Sequence, residues 1–103
     1  MKPPFLSDVQ LPSSVAVAES FNIALTGNWP NPSWQHIDTK IDLDTDQLRV
    51  TISYLGQSGG GLAIQVLQPV RVLIPLSLPS AGVWTVEITG RAQTLSRTIT
   101  VIS

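Results

Sequence analysis

The sequence predicts an all-β domain, about seven antiparallel strands folded as a two-layer sandwich. Stretches in which apolar and polar residues alternate with a period of two recur along the chain, each closed by Pro, Gly, Asn or Asp. No stretch sustains the i, i+3, i+4, i+7 spacing of a capped amphipathic helix. Charged residues make up only 13% of the 103, while Thr, Ser, Val and Ile are plentiful, a balance that suits half-buried strands better than solvated helices. The length fits one hydrophobic core and is too short for two, so residues 1–103 are expected to form a single domain.

The first strand runs from Phe5 to Leu11, with Val9 and Leu11 on one face, and Pro12 stops it because proline cannot donate to a ladder. A short continuation, Val15 to Ala18, is placed to switch sheets. The second strand, Ser20 to Gly27, alternates cleanly, with Phe21, Ile23 and Leu25 on one face and Asn22, Ala24 and Thr26 on the other. After the loop Asn28-Trp29-Pro30-Asn31-Pro32-Ser33, a third strand from Gln35 to Leu43 points Ile37, Ile41 and Leu43 inward. It leaves His36, Asp38, Lys40 and Asp42 in solvent and Trp34 on the polar parity. Asp44-Thr45-Asp46-Gln47 reads as a turn, since Asp carboxylates bond nearby backbone donors.

The fourth strand, Leu48 to Leu55, turns Leu48, Val50, Ile52 and Tyr54 inward. Gly56-Gln57-Ser58-Gly59-Gly60-Gly61 holds four glycines in six residues and is expected to be a mobile crossing between sheets. Leu62 to Leu67 is compatible with strand or loop. From Val70 to Leu78 the inward set is Val70, Val72, Ile74, Leu76 and Leu78, and Pro69 and Pro75 mark one side of this strand as an edge. A final hairpin pairs Val83–Thr89 with Thr94–Ile102 across Gly90-Arg91-Ala92-Gln93. It sets Trp84, Val86 and Ile88 against Leu95, Ile99 and Val101. Arg97 shares the inward parity and has to escape.

The composition narrows function. A formal charge of -1 leaves no basic field to attract a phosphate backbone, so nucleic acid is not an expected partner. With no cysteine there is no disulfide framework, thiolate nucleophile or sulfur-ligated zinc. No apolar run approaches the roughly 20 residues of a membrane-spanning helix, so membrane insertion is not expected. Met1-Lys2-Pro3-Pro4 is not followed by the apolar stretch of a signal peptide.

Asp42, Asp44 and Asp46 form a D-x-D-x-D run that resembles the opening of a calcium-binding EF-hand loop. Gln47 and Ser53 stand where that loop needs glycine and a bidentate glutamate, which favours a solvated turn over a calcium site. His36, the only histidine, has Ser33 and Asp38 as neighbours, yet no serine sits in a nucleophile elbow. The glycine run lacks the Lys-Ser or Lys-Thr of a phosphate loop and precedes no helix. No catalytic constellation and no cofactor are therefore expected. Trp29 and Trp34 bracket a loop stiffened by two prolines. Exposed indoles there would serve as a protein hot spot or a sugar-stacking platform, and the alternative is an indole folded inward to cap the end of the sandwich.

Two stretches, Val15-Ala16-Val17-Ala18-Glu19-Ser20-Phe21-Asn22-Ile23 and Leu78-Pro79-Ser80-Ala81-Gly82-Val83-Trp84-Thr85-Val86, resemble bacterial immunoglobulin-like and fibronectin-type modules. The resemblance implies an immunoglobulin-like sandwich. It also implies a secreted, periplasmic or cell-surface setting and a non-enzymatic structural or binding role. Trp84 stands where such modules carry a tyrosine whose hydroxyl bonds the corner backbone, so that bond is expected to be lost. Asn31-Pro32-Ser33-Trp34 and Gly56–Gly61 are also similar, in the same chain order, to two loops of the chagasin-type cysteine protease inhibitors. Gly90-Arg91-Ala92-Gln93 replaces their third, Arg-Pro-aromatic element. The candidate binding residues are Trp29, Asn31, Pro32, Trp34, Gly59, Gly60 and Gly61, with a protein or a glycan as partner.

Overall fold

A computed structural model describes residues 1–60 and 66–103. The described residues form eight strands and no helix: β1 (Phe5–Gln10), β2 (Ser14–Ala16), β3 (Phe21–Trp29), β4 (Trp34–Asp44), β5 (Arg49–Ser58), β6 (Gln68–Leu76), β7 (Gly82–Thr89) and β8 (Thr94–Ile102). They lie in two sheets, one ordered β1-β3-β6 and the other β2-β8-β7-β5-β4. Both sheets feed one hydrophobic cluster. Leu6, Val9, Ile23, Leu25 and Ile74 come from the three-stranded sheet, and Val50, Ile52, Trp84, Val86, Ile88 and Ile99 from the five-stranded one.

The expected change of sheet after Pro12 occurs. β1 pairs antiparallel with β3, and β2 then runs beside β8 in the other sheet, Val15 opposite Val101. That second pairing is parallel, and so is β5 with β7, Val50 opposite Val86 and Ile52 opposite Ile88. The expectation of an all-antiparallel arrangement is corrected on both counts. The cause at β5 is burial: Val50 and Ile52 are fully buried, so β5 takes the position beside β7 and its hairpin partner β4 goes to the edge. The chain then crosses through β6 in the other sheet and returns as β7 in the direction of β5.

The hairpin of β7 and β8 closes with Thr89 opposite Thr94, as expected. Arg97, opposite Val86, escapes by turning its guanidinium to Asp8 at 3.4 Å and to the Ser96 carbonyl at 2.9 Å. Trp84 is fully buried and its indole N–H donates to the Ser80 carbonyl at 2.9 Å. The hydroxyl bond is gone with the tyrosine, and the indole N–H takes its place by reaching the same kind of backbone acceptor. Gly82 precedes it at φ +137°, where L side chains are strained, and a Cβ there would lie 2.6 Å from Leu48 Cδ1.

β4 departs furthest from the sequence pattern. His36 pairs with Gly56 and Asp38 with Leu55, so Ile37 is an extra residue, a bulge. One inserted residue reverses the parity before it. Trp34 and His36 therefore join Thr39, Ile41 and Leu43 on the face shared with Tyr54, Ile52 and Val50. The placement of Trp34 on the polar side is corrected accordingly, while His36, though turned to that face, is exposed as expected. Ile37, Ile41 and Leu43 are not buried either: they are 54%, 39% and 47% exposed, and β6 of the three-stranded sheet meets the inner face of β4 only across an open groove lined by His36, Thr39, Ile41, Tyr54, Val72 and Ile74. At the end of β4, Asp44 Oδ1 accepts from the backbone N–H groups of Asp46 and Gln47, the turn that its sequence predicts.

Candidate functional site

Seven strand ends meet at one end of the molecule: the starts of β1, β4, β6 and β8 and the finishes of β3, β5 and β7. The pairings Phe5 with Asn28, Trp29 with Gln68, Trp34 with Ser58 and Thr89 with Thr94 bring them together. β3 continues its alternation of buried residues, Phe21, Ile23, Leu25, Gly27, to Trp29, which belongs to the strand and not to the loop where sequence reasoning put it. Trp29 is only 5% exposed. It lies directly on Gly56, where an added Cβ would come within 2.5 Å of the indole. Gly56 is thus a packing glycine inside β5, and Gly56–Ser58, expected as part of a mobile crossing, are corrected to strand.

An aromatic column runs from this end along the inner face of β4. Trp34 stacks on Trp29 at 5.6 Å, Trp29 on Tyr54 at 6.1 Å and Tyr54 on His36 at 4.1 Å between ring centroids. Arg91, from the β7–β8 loop, places its guanidinium 4.5 Å from the Trp34 ring centroid and 5.3 Å from that of Phe5, a cation–π arrangement. Its Nε donates to the Pro3 carbonyl, while Nη2 is buried without a hydrogen-bond partner among the described residues. Burial raises the Tyr54 phenol above its ordinary pKa, since the phenolate would be poorly solvated there.

The proline loop is held from inside. Asn31 Oδ1 accepts from the backbone N–H and the hydroxyl of Ser33. Ser33 Oγ lies 3.0 Å from Ser58 Oγ, and the Gly59 N–H donates to the Ser33 carbonyl at 2.8 Å. The structure thus brings together Trp29, Asn31, Pro32, Trp34, Gly59 and Gly60; Gly61 and residues 62–65 lie outside the described residues. Pro32, Gly59 and Gly60 are exposed, Asn31 and Trp34 half-buried and Trp29 buried.

The imagined nucleophile set does not assemble. His36 Nε2 lies 2.8 Å from Thr39 Oγ1, Ser33 is engaged by Asn31 and Ser58, and the bulge turns Asp38 to the opposite face. Asp42, Asp44 and Asp46 are all exposed at the far end, and among the described residues no group of three or more His, Asp or Glu is placed to hold a metal ion. No helix among the described residues is long and apolar enough to cross a membrane.

No family model matches the chain. Nor does any curated protein or any solved structure. The geometry is left to carry the functional reading. Arg91 and Tyr54 are the site residues that sequence reasoning missed. Tyr54 shares its parity with Gly56, and Arg91 sits at the tip of a hairpin whose register was legible, so both had a signal.

Proposed function

We propose that the chain is a non-enzymatic binding module with an immunoglobulin-like sandwich architecture, working outside the cytoplasm and meeting a protein partner through its loop end. The observation that carries this reading is the convergence there of the proline loop, the start of the glycine run and the β7–β8 hairpin over a stacked aromatic column. Such a base holds the loops in one shape before a partner arrives, which lowers the entropic cost of binding. The shared core of the two sheets and the strand switch at Pro12 support the sandwich. The parallel pairing of β5 with β7 is a departure from the antiparallel modules that the sequence resembles, so the likeness is one of architecture. The extracytoplasmic setting rests on that resemblance.

The test is capture from secreted and cell-envelope fractions by the immobilised domain, alongside an Asn31→Ala, Pro32→Ala variant and a control changed at the opposite end, Gln47→Ala. Partner capture lost only in the loop variant is the expected result. Equal capture by all three, or turnover of ester, peptide or glycoside substrates that depends on His36, refutes the reading.

A second reading, cysteine protease inhibition of chagasin type, is favoured by the side-by-side placement of Asn31–Trp34 and Ser58–Gly60 next to the β7–β8 hairpin. Papain assayed with the domain at micromolar concentration decides it, since undiminished activity excludes it. Glycan stacking fits less well, because both indoles are already stacked on groups of the protein itself. Unchanged tryptophan fluorescence on adding glycans would dispose of it.

A further inference from the structure

The free edge of β4 stands apart from the loop end and has the features of a contact made with its own kind. We infer that two copies of this chain associate through β4, pairing antiparallel about a two-fold axis at Ile41 to join two five-stranded sheets into one. Among the described residues, β4 is paired with β5 on one side only and is the longest strand, with eleven residues and no proline. The other sheet edges are poorer templates. β2 has three residues and β1 six, while Pro69 and Pro75 remove backbone donors from β6.

The inner face of β4 is also incompletely covered, since an open groove separates it from β6. Thr39, Ile41 and Leu43 face the same way as Tyr54, Ile52 and Val50, yet Ile41 and Leu43 are 39% and 47% exposed. A second β4 would extend this apolar strip beyond the reach of the three-stranded sheet.

The choice of a second copy rests on charge. In a two-fold register centred on Ile41, residue pairs sum to the same number, so Lys40 of each copy falls opposite Asp42 of the other, twice over. Ile41 meets Ile41, and Thr39 meets Leu43, on the apolar face. Lysine on an edge ordinarily deters pairing, but here it meets an acid. Asp38 meets Asp44 at the two ends of the ladder, an unfavourable pair that confines the contact to its centre. The bulge at Ile37 lies outside residues 38–44 and does not interrupt it.

Sedimentation velocity on the full chain from micromolar to millimolar concentration tests this. The mass is expected to rise from 11.1 kDa toward twice that value. Ile41→Lys, Lys40→Asp and Asp42→Lys are each expected to weaken association about tenfold or more. All three positions are exposed, and circular dichroism with a thermal melt checks that each variant keeps its fold. The deciding sample is an equimolar mixture of Lys40→Asp with Asp42→Lys. Across a mixed pair both opposed charges are again unlike, so the mixture recovers the dimer that neither variant forms alone. A chain that stays monomeric throughout overturns the inference, as does a dimer indifferent to Ile41→Lys or a mixture that does not recover.

Discussion

Replacing Trp84 by Phe separates two contributions that the structure places on one side chain. The indole is fully buried between the sheets and donates to the Ser80 carbonyl at 2.9 Å. A phenyl ring buries roughly 40 Å² less apolar surface, about 1 kcal/mol at 25 cal/mol per Å². The lost hydrogen bond adds about 1 kcal/mol. Together they come to about 2 kcal/mol, which for a domain of this size lowers Tm by about 8–16 °C. Trp84→Tyr loses similar area but keeps a donor on the ring, directed to the same corner backbone, so it is expected to cost about half as much. Denaturant titration followed by circular dichroism measures all three proteins on one scale. If Phe proves as stable as Tyr, or costs under about 0.5 kcal/mol, the corner bond contributes nothing and the reasoning fails.

Gly82→Ala imposes a side chain at φ +137° and presses a Cβ against Leu48, so a loss of about 2 kcal/mol is expected in the same titration. Asp44→Ala leaves the N–H groups of Asp46 and Gln47 without their acceptor and should cost about 1 kcal/mol, equally with and without added calcium. A calcium-dependent rise in Tm that disappears in this variant would instead make Asp42, Asp44 and Asp46 a metal site. Tyr54 is the chain's one tyrosine, so phenolate absorbance follows it alone. Its folded pKa lies above the ordinary tyrosine value of 10.0, so its contribution is complete below that pH and is lost as pH rises through the folded value. Tyr54→Phe should remove that part of the alkaline slope; an unchanged slope would assign it elsewhere.

Period-two patterning located the strands because most of them bury one face, and β3, β6, β7 and β8 carry that pattern in the structure. It failed at β4 for two physical reasons. A bulge is a backbone event with no marker in Gln35-His36-Ile37-Asp38, and an incompletely covered edge strand exposes its apolar parity in spite of the pattern. Pairing order was hidden as well. Nothing local to Arg49–Ser58 says that β5 and not β4 adjoins β7; that follows from which strand the core takes up. At the loop end, residue types pointed to the right place, since prolines, asparagine and glycines do mark strand ends. They could not say that Trp29 is committed to packing on Gly56, because that contact joins residues far apart in sequence.

The strap from β1 to β2 has a mechanical meaning. The chain enters β1 at the loop end and leaves β8 at the opposite end of a molecule 51 Å long and about 20 Å across. Tension drawn between these two strands pulls β2 and β8, which run parallel, in opposite directions along their length. The pairs Ser14–Thr100, Val15–Val101 and Ala16–Ile102 are then loaded together in shear and cannot be peeled open one after another. The same load reaches β1 directly, so the two sheets resist extension in series, with Pro12 at the bend between them.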